Sequence, residues 1–176
     1  PPPGELRRLA THLDRGGRLI VFYSESSDLA ARLGFTLDAA IQAADGQWAS
    51  FTFGTNRLPF LPARVRQNSR ILRPARPADG RAHVIAWWEN EDGELQPQPA
   101  WTLSDRGAWM SHILQDGDDV SRRHLLLGLV AHVEPRAIQA AAWRAKSRCG
   151  AAAPFESGAA MLAAGMELFV PKPVDF

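Results

Sequence analysis

The sequence predicts an α/β domain with a mostly parallel sheet, a β-rich insertion and C-terminal helices packed on it. A helix–strand–helix unit with tight links occupies the first 34 residues, which is typical of such domains. Short apolar and aromatic runs separated by Gly, Pro and Asp turns follow, and the last third is helical in its spacing. At 176 residues, the chain is long enough for one domain with a substantial core.

The first three elements follow from local patterns. Residues 4–17 carry apolar side chains at helical spacing and end on a Gly-Gly pair that suits a C-cap. Residues 18–23 form an apolar run with β-branched and aromatic members, which indicates a buried strand. A second helix is expected over residues 28–34, capped by Ser27 and Asp28.

The middle of the chain predicts a β-meander. The Asp92-Gly93 pair is a hairpin signal, and the turn Asp105–Gly107 separates two further strands. The strands are expected over residues 47–54, 70–77, 82–90, 99–105 and 107–114.

The C-terminal third predicts three helices. One covers residues 119–133, one opens at Pro135, and one starts near Pro154 after a short Ala-rich linker. We therefore expect one α/β domain over residues 1–150, followed by a C-terminal helix and tail over 151–176.

Composition narrows the classes of function. A net charge of +1 gives no electrostatic case for nucleic-acid binding. The single Cys149 excludes an internal disulfide framework and a cysteine-based zinc site, and we expect no metal and no cofactor. No apolar run approaches the roughly 20 residues of a membrane span. No signal peptide is visible, and the opening Pro-Pro-Pro resembles a linker, so both a cytoplasmic and an exported location stay open.

The stretch "RGGRLIVFYSESSDLAARLG", residues 15–34, has the outline of a nucleophile elbow, with Ser24 as the candidate nucleophile. Such an elbow needs small neighbours, and Tyr23 and Glu25 are not small. The alternative is that Ser24 and the serines after it cap the following helix.

His112 is the second candidate catalytic residue. It lies at the end of a predicted strand, ahead of the acidic turn from Asp116 to Asp119, which could orient it. The alternatives are a structural histidine and a solvated turn in which Asp118 or Asp119 caps the next helix.

Aromatic platforms stack on sugar rings, so the tryptophans of the strand-rich region could line a carbohydrate groove, although core packing explains most of them. The candidate binding residues are Glu25, Trp88, Trp109 and Asp116. An arginine-rich stretch favours interface salt bridges or an anion contact; its members are Arg64, Arg66, Arg70, Arg73 and Arg76.

Residues 15–34 resemble the strand–elbow–helix segment of class I glutamine amidotransferase-like domains, and residues 105–135 resemble their closing strand, histidine and helix. Together they are similar to the amidotransferase-like domain attached to bacterial glycosyl-hydrolase-like proteins. The resemblance implies a flavodoxin-like sheet, truncated or reduced at its N-terminal side. It places Ser24 near the catalytic cysteine and His112 at the catalytic histidine, with Leu114 where active enzymes carry an acid.

The cysteine and the acid are both missing, so the resemblance implies a domain without glutaminase activity. We therefore expect a non-catalytic accessory domain, structural or ligand-binding, in a carbohydrate-active bacterial protein. Its partners would be a carbohydrate ligand, a second copy of the chain or an adjoining domain. Two alternatives stay open: a hydrolase that uses Ser24 and His112, and an oligomerisation module.

Overall fold

The computed structural model describes residues 3–54 and 58–149, and the chain divides into two compact units after Val133. The second unit contributes helix α4 (Pro135–Cys149) to the described residues. The expected third helix and the tail over residues 151–176 lie outside the described residues. The first unit comprises α1 (Pro3–Asp14), β1 (Leu19–Phe22), α2 (Ser27–Arg32), β2 (Phe35–Leu37), β3 (Ile41–Gln42), β4 (Trp48–Phe53), β5 (Arg64–Ser69), β6 (Ile71–Leu72), β7 (Ala75–Pro77), β8 (Ala82–Glu89), β9 (Leu95–Ser104), β10 (Gly107–Met110) and α3 (Asp119–Val133).

The main sheet is curled and mixed, and the prediction of a mostly parallel, flavodoxin-like sheet is wrong. Its six strands lie in the order β1-β10-β9-β8-β4-β5. Only β1 and β10 of this sheet run parallel, and the other neighbours are antiparallel. Two separate two-stranded ribbons, β2–β7 and β3–β6, complete the β-structure of the described residues.

Connection length explains the antiparallel pairing. A parallel pair needs a crossover of a dozen or more residues, whereas short turns join β8 to β9 and β9 to β10. Gly93 adopts φ +82° in the first of these turns, as the Asp92-Gly93 signal predicts. The strands expected as an insertion therefore constitute most of the sheet, and β1 joins it at one edge.

The contact between β1 and β10 depends on Gly107. Its φ is +149°, and a Cβ atom built there would lie 1.9 Å from the carbonyl oxygen of Leu19. Only a residue without a side chain lets the two backbones approach this closely.

Strand alternation directs side chains into two hydrophobic clusters on opposite faces of the β1–β10 edge. Ile20 and Phe22 pack against the first cluster, to which α3 contributes Leu125 and Leu129. Leu19 and Val21 pack against the second cluster, whose buried members are Leu13, Leu29, Ala30, Leu33, Phe35, Ala75, Ala82 and Trp109. The two clusters cover both faces of β1 and β10. They hold in place the carboxyl ends of these strands, where the candidate site lies.

Candidate functional site

The turn between β1 and α2 has the geometry of an elbow, but its strained residue is Tyr23. Tyr23 follows the last residue of β1 and adopts φ +81°, a left-handed conformation that aromatic residues rarely occupy. Strain of this kind persists where the surrounding structure imposes it, and it concentrates at functional sites. Tyr23 therefore stands at the apex of the elbow, one residue before the position predicted from the sequence.

Ser24 takes part in the turn itself. Its side chain is buried, and its Oγ accepts a hydrogen bond of 3.2 Å from the backbone N–H of Ser26. Ser26 is in turn the N-cap of α2, since its Oγ accepts from the N–H of Leu29 at 3.2 Å. No hydrogen bond joins Ser24 and His112, both of which the structure describes. The serines thus shape the elbow and the start of the helix, with Ser26 at the cap position expected for Ser27.

His112 and Tyr23 come together because their strands are parallel neighbours. Phe22 is paired with Met110, so the residues that follow both strands emerge at one edge of the sheet. The two rings meet edge to face, with their centroids 6.4 Å apart. Both side chains are partly exposed, and the pair forms an aromatic surface at the carboxyl edge of β1 and β10.

A buried glutamine from β5 holds the segment that carries His112. The Nε2 of Gln67 donates to the carbonyl oxygen of Ile113 at 2.9 Å and to Ser69 Oγ at 3.0 Å. Its Oε1 accepts from the backbone N–H of Gln115 at 2.9 Å. Gln67 is only 3% exposed; its bond to Ser69 is buried, and its bonds to Ile113 and Gln115 are partly buried. The curl of the sheet thus brings β5 to the loop that follows β10.

The ring of His112 is held through its Nδ1 atom. Nδ1 lies 2.9 Å from the carbonyl oxygen of Ile113, 3.3 Å from Gln67 Nε2 and 3.4 Å from Ser69 Oγ. The Ile113 carbonyl can only accept, so we assign the ring proton to Nδ1. Nε2 then keeps its lone pair, and within the described part of the chain it has no hydrogen-bond partner.

Burial lowers the pKa of His112 below its ordinary value, against the opposing effect of the hydrogen bond to Ile113. The imidazole is therefore neutral at pH 7. A neutral ring with a free Nε2 accepts a hydrogen bond from a hydroxyl group of a bound molecule.

An acid that would orient His112 for catalysis is missing from its described surroundings. No described carboxylate is hydrogen-bonded to the ring, and Leu114, at the position where the resemblance places an acid, packs against the first hydrophobic cluster. Over residues 3–54 and 58–149 there is also no group of three or more His, Cys, Asp and Glu side chains that could hold a metal ion.

The acidic turn is occupied by structural contacts. Asp116 and Asp119 both pair with Arg122 Nη1, at 3.0 and 3.2 Å. Asp118 caps α3 by accepting from the N–H of Ser121, and it also accepts from the N–H of Arg66 on β5. Neither Asp116 nor its neighbours in this turn contact His112 through a hydrogen bond in the described structure.

Of the other candidate binding residues, one is exposed and two lie inside the core. Glu25 is exposed in the elbow. Trp88 and Trp109 are buried; the Nε1 of Trp88 donates to Ser111 Oγ at 2.9 Å, and Trp109 packs edge to face on Phe35. Neither indole offers a face to a ligand at the surface.

Two residues of the site escaped sequence reasoning. The sequence presents Tyr23 only as a poor neighbour for a nucleophile, because a positive φ at an aromatic residue has no sequence signal. Gln67 does have a sequence signal: the period-2 pattern of "RVRQNS" puts Gln67 on the same strand face as Val65 and Ser69. A glutamine on a buried face must find hydrogen-bond partners.

Comparisons of this chain with protein-family models, with curated proteins and with solved structures gave no match. Among its described helices, none combines the length and the apolar character that crossing a membrane requires.

Proposed function

We propose that this chain is a non-catalytic binding domain whose site is the Tyr23–His112 pair, and that its ligand is a hydroxyl-rich small molecule of the carbohydrate class. The observation that supports this most is the free Nε2 of a neutral, half-buried imidazole next to a ring held at a positive φ. A tyrosine face packs on the apolar side of a sugar, and the imidazole accepts from one of its hydroxyl groups.

The setting in a carbohydrate-active bacterial protein belongs to the same proposal. The observed sheet is not the one that the amidotransferase resemblance implies, so the proposal rests on the residues of the site alone. A fold carries many functions, whereas the chemistry of a site limits them.

Titration with a panel of mono- and oligosaccharides, followed by NMR, tests the proposal. The Tyr23→Asn variant removes the ring while keeping a residue that tolerates the left-handed backbone. His112→Asn removes the imidazole, and His124→Asn, at an exposed position of α3, is the matched control. We expect both site variants to weaken binding at least about ten-fold, the cost of losing one good contact, and the control to bind as the unaltered chain does.

Two results would overturn the proposal. One is that no sugar of the panel perturbs the spectrum. The other is that a sugar binds but neither site variant weakens it.

The rival function, a hydrolase that uses Ser24 and His112, predicts cleavage of an activated ester and its loss in Ser24→Ala. Ser24 Oγ accepts a hydrogen bond from the Ser26 N–H, and no described acid orients His112. Both observations argue against this activity. Cleavage that is above background in the unaltered chain and absent in Ser24→Ala would establish the rival.

A further inference from the structure

The main sheet ends at β1, and within the described part of the chain no strand pairs with the outer edge of β1. Each residue of β1 is partly exposed, whereas each residue of its neighbour β10 is buried. The side chains of β1 pack against hydrophobic clusters on both faces of the sheet. The remaining exposure of β1 therefore lies along its outer edge.

The backbone groups at this edge belong to Ile20 and Phe22. In a ladder, alternate residues direct both their N–H and their C=O towards the same neighbouring strand. The N–H of Leu19 donates to the carbonyl oxygen of Arg106, immediately before β10, at 3.1 Å. Leu19 and Val21 are therefore the residues of β1 that bond to β10. Ile20 and Phe22 present two donors and two acceptors to the outside.

The opposite edge of the sheet, formed by β5, is protected against further strands. The pairing of β5 with β4 shifts register near Trp48, and Arg64 and Arg66 are exposed on β5. The backbone N–H of Arg66 is also occupied, because it donates to the carboxylate of Asp118 at 3.1 Å. Irregular pairing, charges and covered backbone groups all prevent edge-to-edge association. The strand β1, with the sequence LIVF, has no charge, no proline and no shift in its register with β10.

We propose that β1 pairs with β1 of a second copy of this chain, antiparallel, about a two-fold axis beside Val21. In this register Ile20 of each copy lies opposite Phe22 of the other, and the two residues exchange their outward hydrogen bonds. Val21 lies opposite its own symmetry mate. The pairing joins the two six-stranded sheets into one and keeps each cluster on the same face in both copies. This inference goes beyond the proposed function, because it concerns the edge of β1 and not the Tyr23–His112 pair.

The charges beside β1 favour a second copy as the partner. Arg15 and Arg18 precede the strand, Glu25 follows it, and all three are exposed. Within the described chain, the side chains of Arg15 and Glu25 have no partner, whereas Asp14 and Asp28 are already in ion pairs. Antiparallel pairing of two copies brings the basic end of each strand to the acidic end of the other. Symmetry repeats this contact, whereas parallel pairing would bring like charges together.

The mass of the full chain in solution tests whether it self-associates. A strand of four residues makes a small interface, so we expect a weak, reversible dimer with a dissociation constant between about 1 μM and about 1 mM. Sedimentation equilibrium from about 10 μM to about 1 mM covers this range. A mass of one chain throughout would overturn the inference and leave the edge to a strand of a different protein.

A disulfide tests whether β1 forms the interface in this register. Cys149→Ser removes the single native cysteine, and Val21→Cys is then introduced. Opposite residues of a non-hydrogen-bonded antiparallel pair have Cα atoms about 4.5 Å apart, within the range of a disulfide. We expect mild oxidation of this variant to give a covalent dimer.

Leu19→Cys in the same background is the matched control for the disulfide. Leu19 lies on the same strand and the same face as Val21, but the proposed register offsets it from its symmetry mate by four residues, about 13 Å. We therefore expect no covalent dimer. Cross-linking at Leu19 and not at Val21, or a dimer that cross-links at neither position, would overturn the inference.

A charge reversal tests the direction of the pairing. Glu25→Arg places like charges at both symmetry-related contacts, and we expect it to raise the dissociation constant about ten-fold. Adding Arg15→Glu should recover most of this loss. Glu5→Arg, at an exposed position of α1, makes the same change in net charge away from the edge and should leave the dimer unchanged. Equal weakening by Glu25→Arg and Glu5→Arg would contradict the antiparallel pairing.

Discussion

Replacing Gln67 by leucine tests how the site is held together. Gln67 is buried and links β5 to the loop after β10 through bonds to the Ile113 carbonyl and the Gln115 N–H, each 2.9 Å long. Leucine has a similar size but no polar atom, so the Gln115 N–H and the Ser69 Oγ lose their bond to Gln67, and the Ile113 carbonyl keeps only its bond from His112. The same loop carries His112, so its position depends on these bonds.

The expected loss in the free energy of unfolding follows from the two polar groups that lose their partner. A buried polar group without its partner costs about 1–3 kcal/mol, so the pair could cost up to about 6 kcal/mol. The Gln115 bond is only partly buried, so water restores some of this energy. We expect Gln67→Leu to lower the free energy of unfolding by about 2–4 kcal/mol.

Urea unfolding followed by tryptophan fluorescence measures this loss. Asn68→Leu is the matched control, since it makes a comparable change at the exposed neighbouring position of β5 and should stay within about 0.5 kcal/mol of the unaltered chain. If Gln67→Leu is as stable as Asn68→Leu, the hydrogen bonds of Gln67 do not hold the loop, and the reasoning about the site's frame is refuted.

Three further outcomes are expected. Gly107→Ala should cost about 3 kcal/mol or more in urea unfolding, because its Cβ would collide with the Leu19 carbonyl at a strained φ; a cost below 1 kcal/mol, on the order of a surface change, would contradict the close approach. Asp118→Ala should cost about 1–2 kcal/mol as a lost cap. Burial raises the pKa of Asp118, but the hydrogen bonds from Arg66 and Ser121 lower it by more, so the pKa lies below its ordinary value. The stability that the carboxylate contributes is therefore lost as the pH falls below 3.8; an Asp118→Ala variant that loses stability in acid as steeply as the unaltered chain would argue against this. The lowered pKa of His112 gives stability that is present above pH 6.5 and is lost as the pH falls below it, because the unfolded chain takes up the proton first. The urea midpoint of His112→Asn should therefore fall less between pH 7 and pH 5.5, and equal slopes would refute the assignment.

Local elements were predictable from the sequence, and their assembly was not. The first helix, the strand before the elbow, the Asp92-Gly93 hairpin and the helix over residues 119–133 all form, because each has a local pattern of spacing, caps or turn residues. The short strands β2 and β3 had no such pattern, and the single strand expected over residues 70–77 is divided into β6 and β7. All four form because tertiary contacts pair them.

The prediction of parallel strands is wrong because a helix–strand–helix start, although typical of parallel sheets, sets the direction of β1 alone. The short turns later in the chain predict antiparallel neighbours. Gly107 lets β1 pair in parallel with β10 at the edge of the meander. At the site, the meeting of Tyr23 and His112 could be anticipated only from that pairing. The role of Gln67 depends on the curl of the sheet, which no local pattern encodes.

A long-range ¹H–¹⁵N NMR spectrum of His112, recorded at pH 7 without and with the sugars of the panel, tests the binding site most directly. We expect a neutral ring with its proton on Nδ1, and an Nε2 resonance that shifts when a sugar binds and is absent from the spectrum of His112→Asn. A ring protonated at Nε2, or an Nε2 resonance that stays in place while a sugar binds elsewhere, would contradict the Tyr23–His112 site.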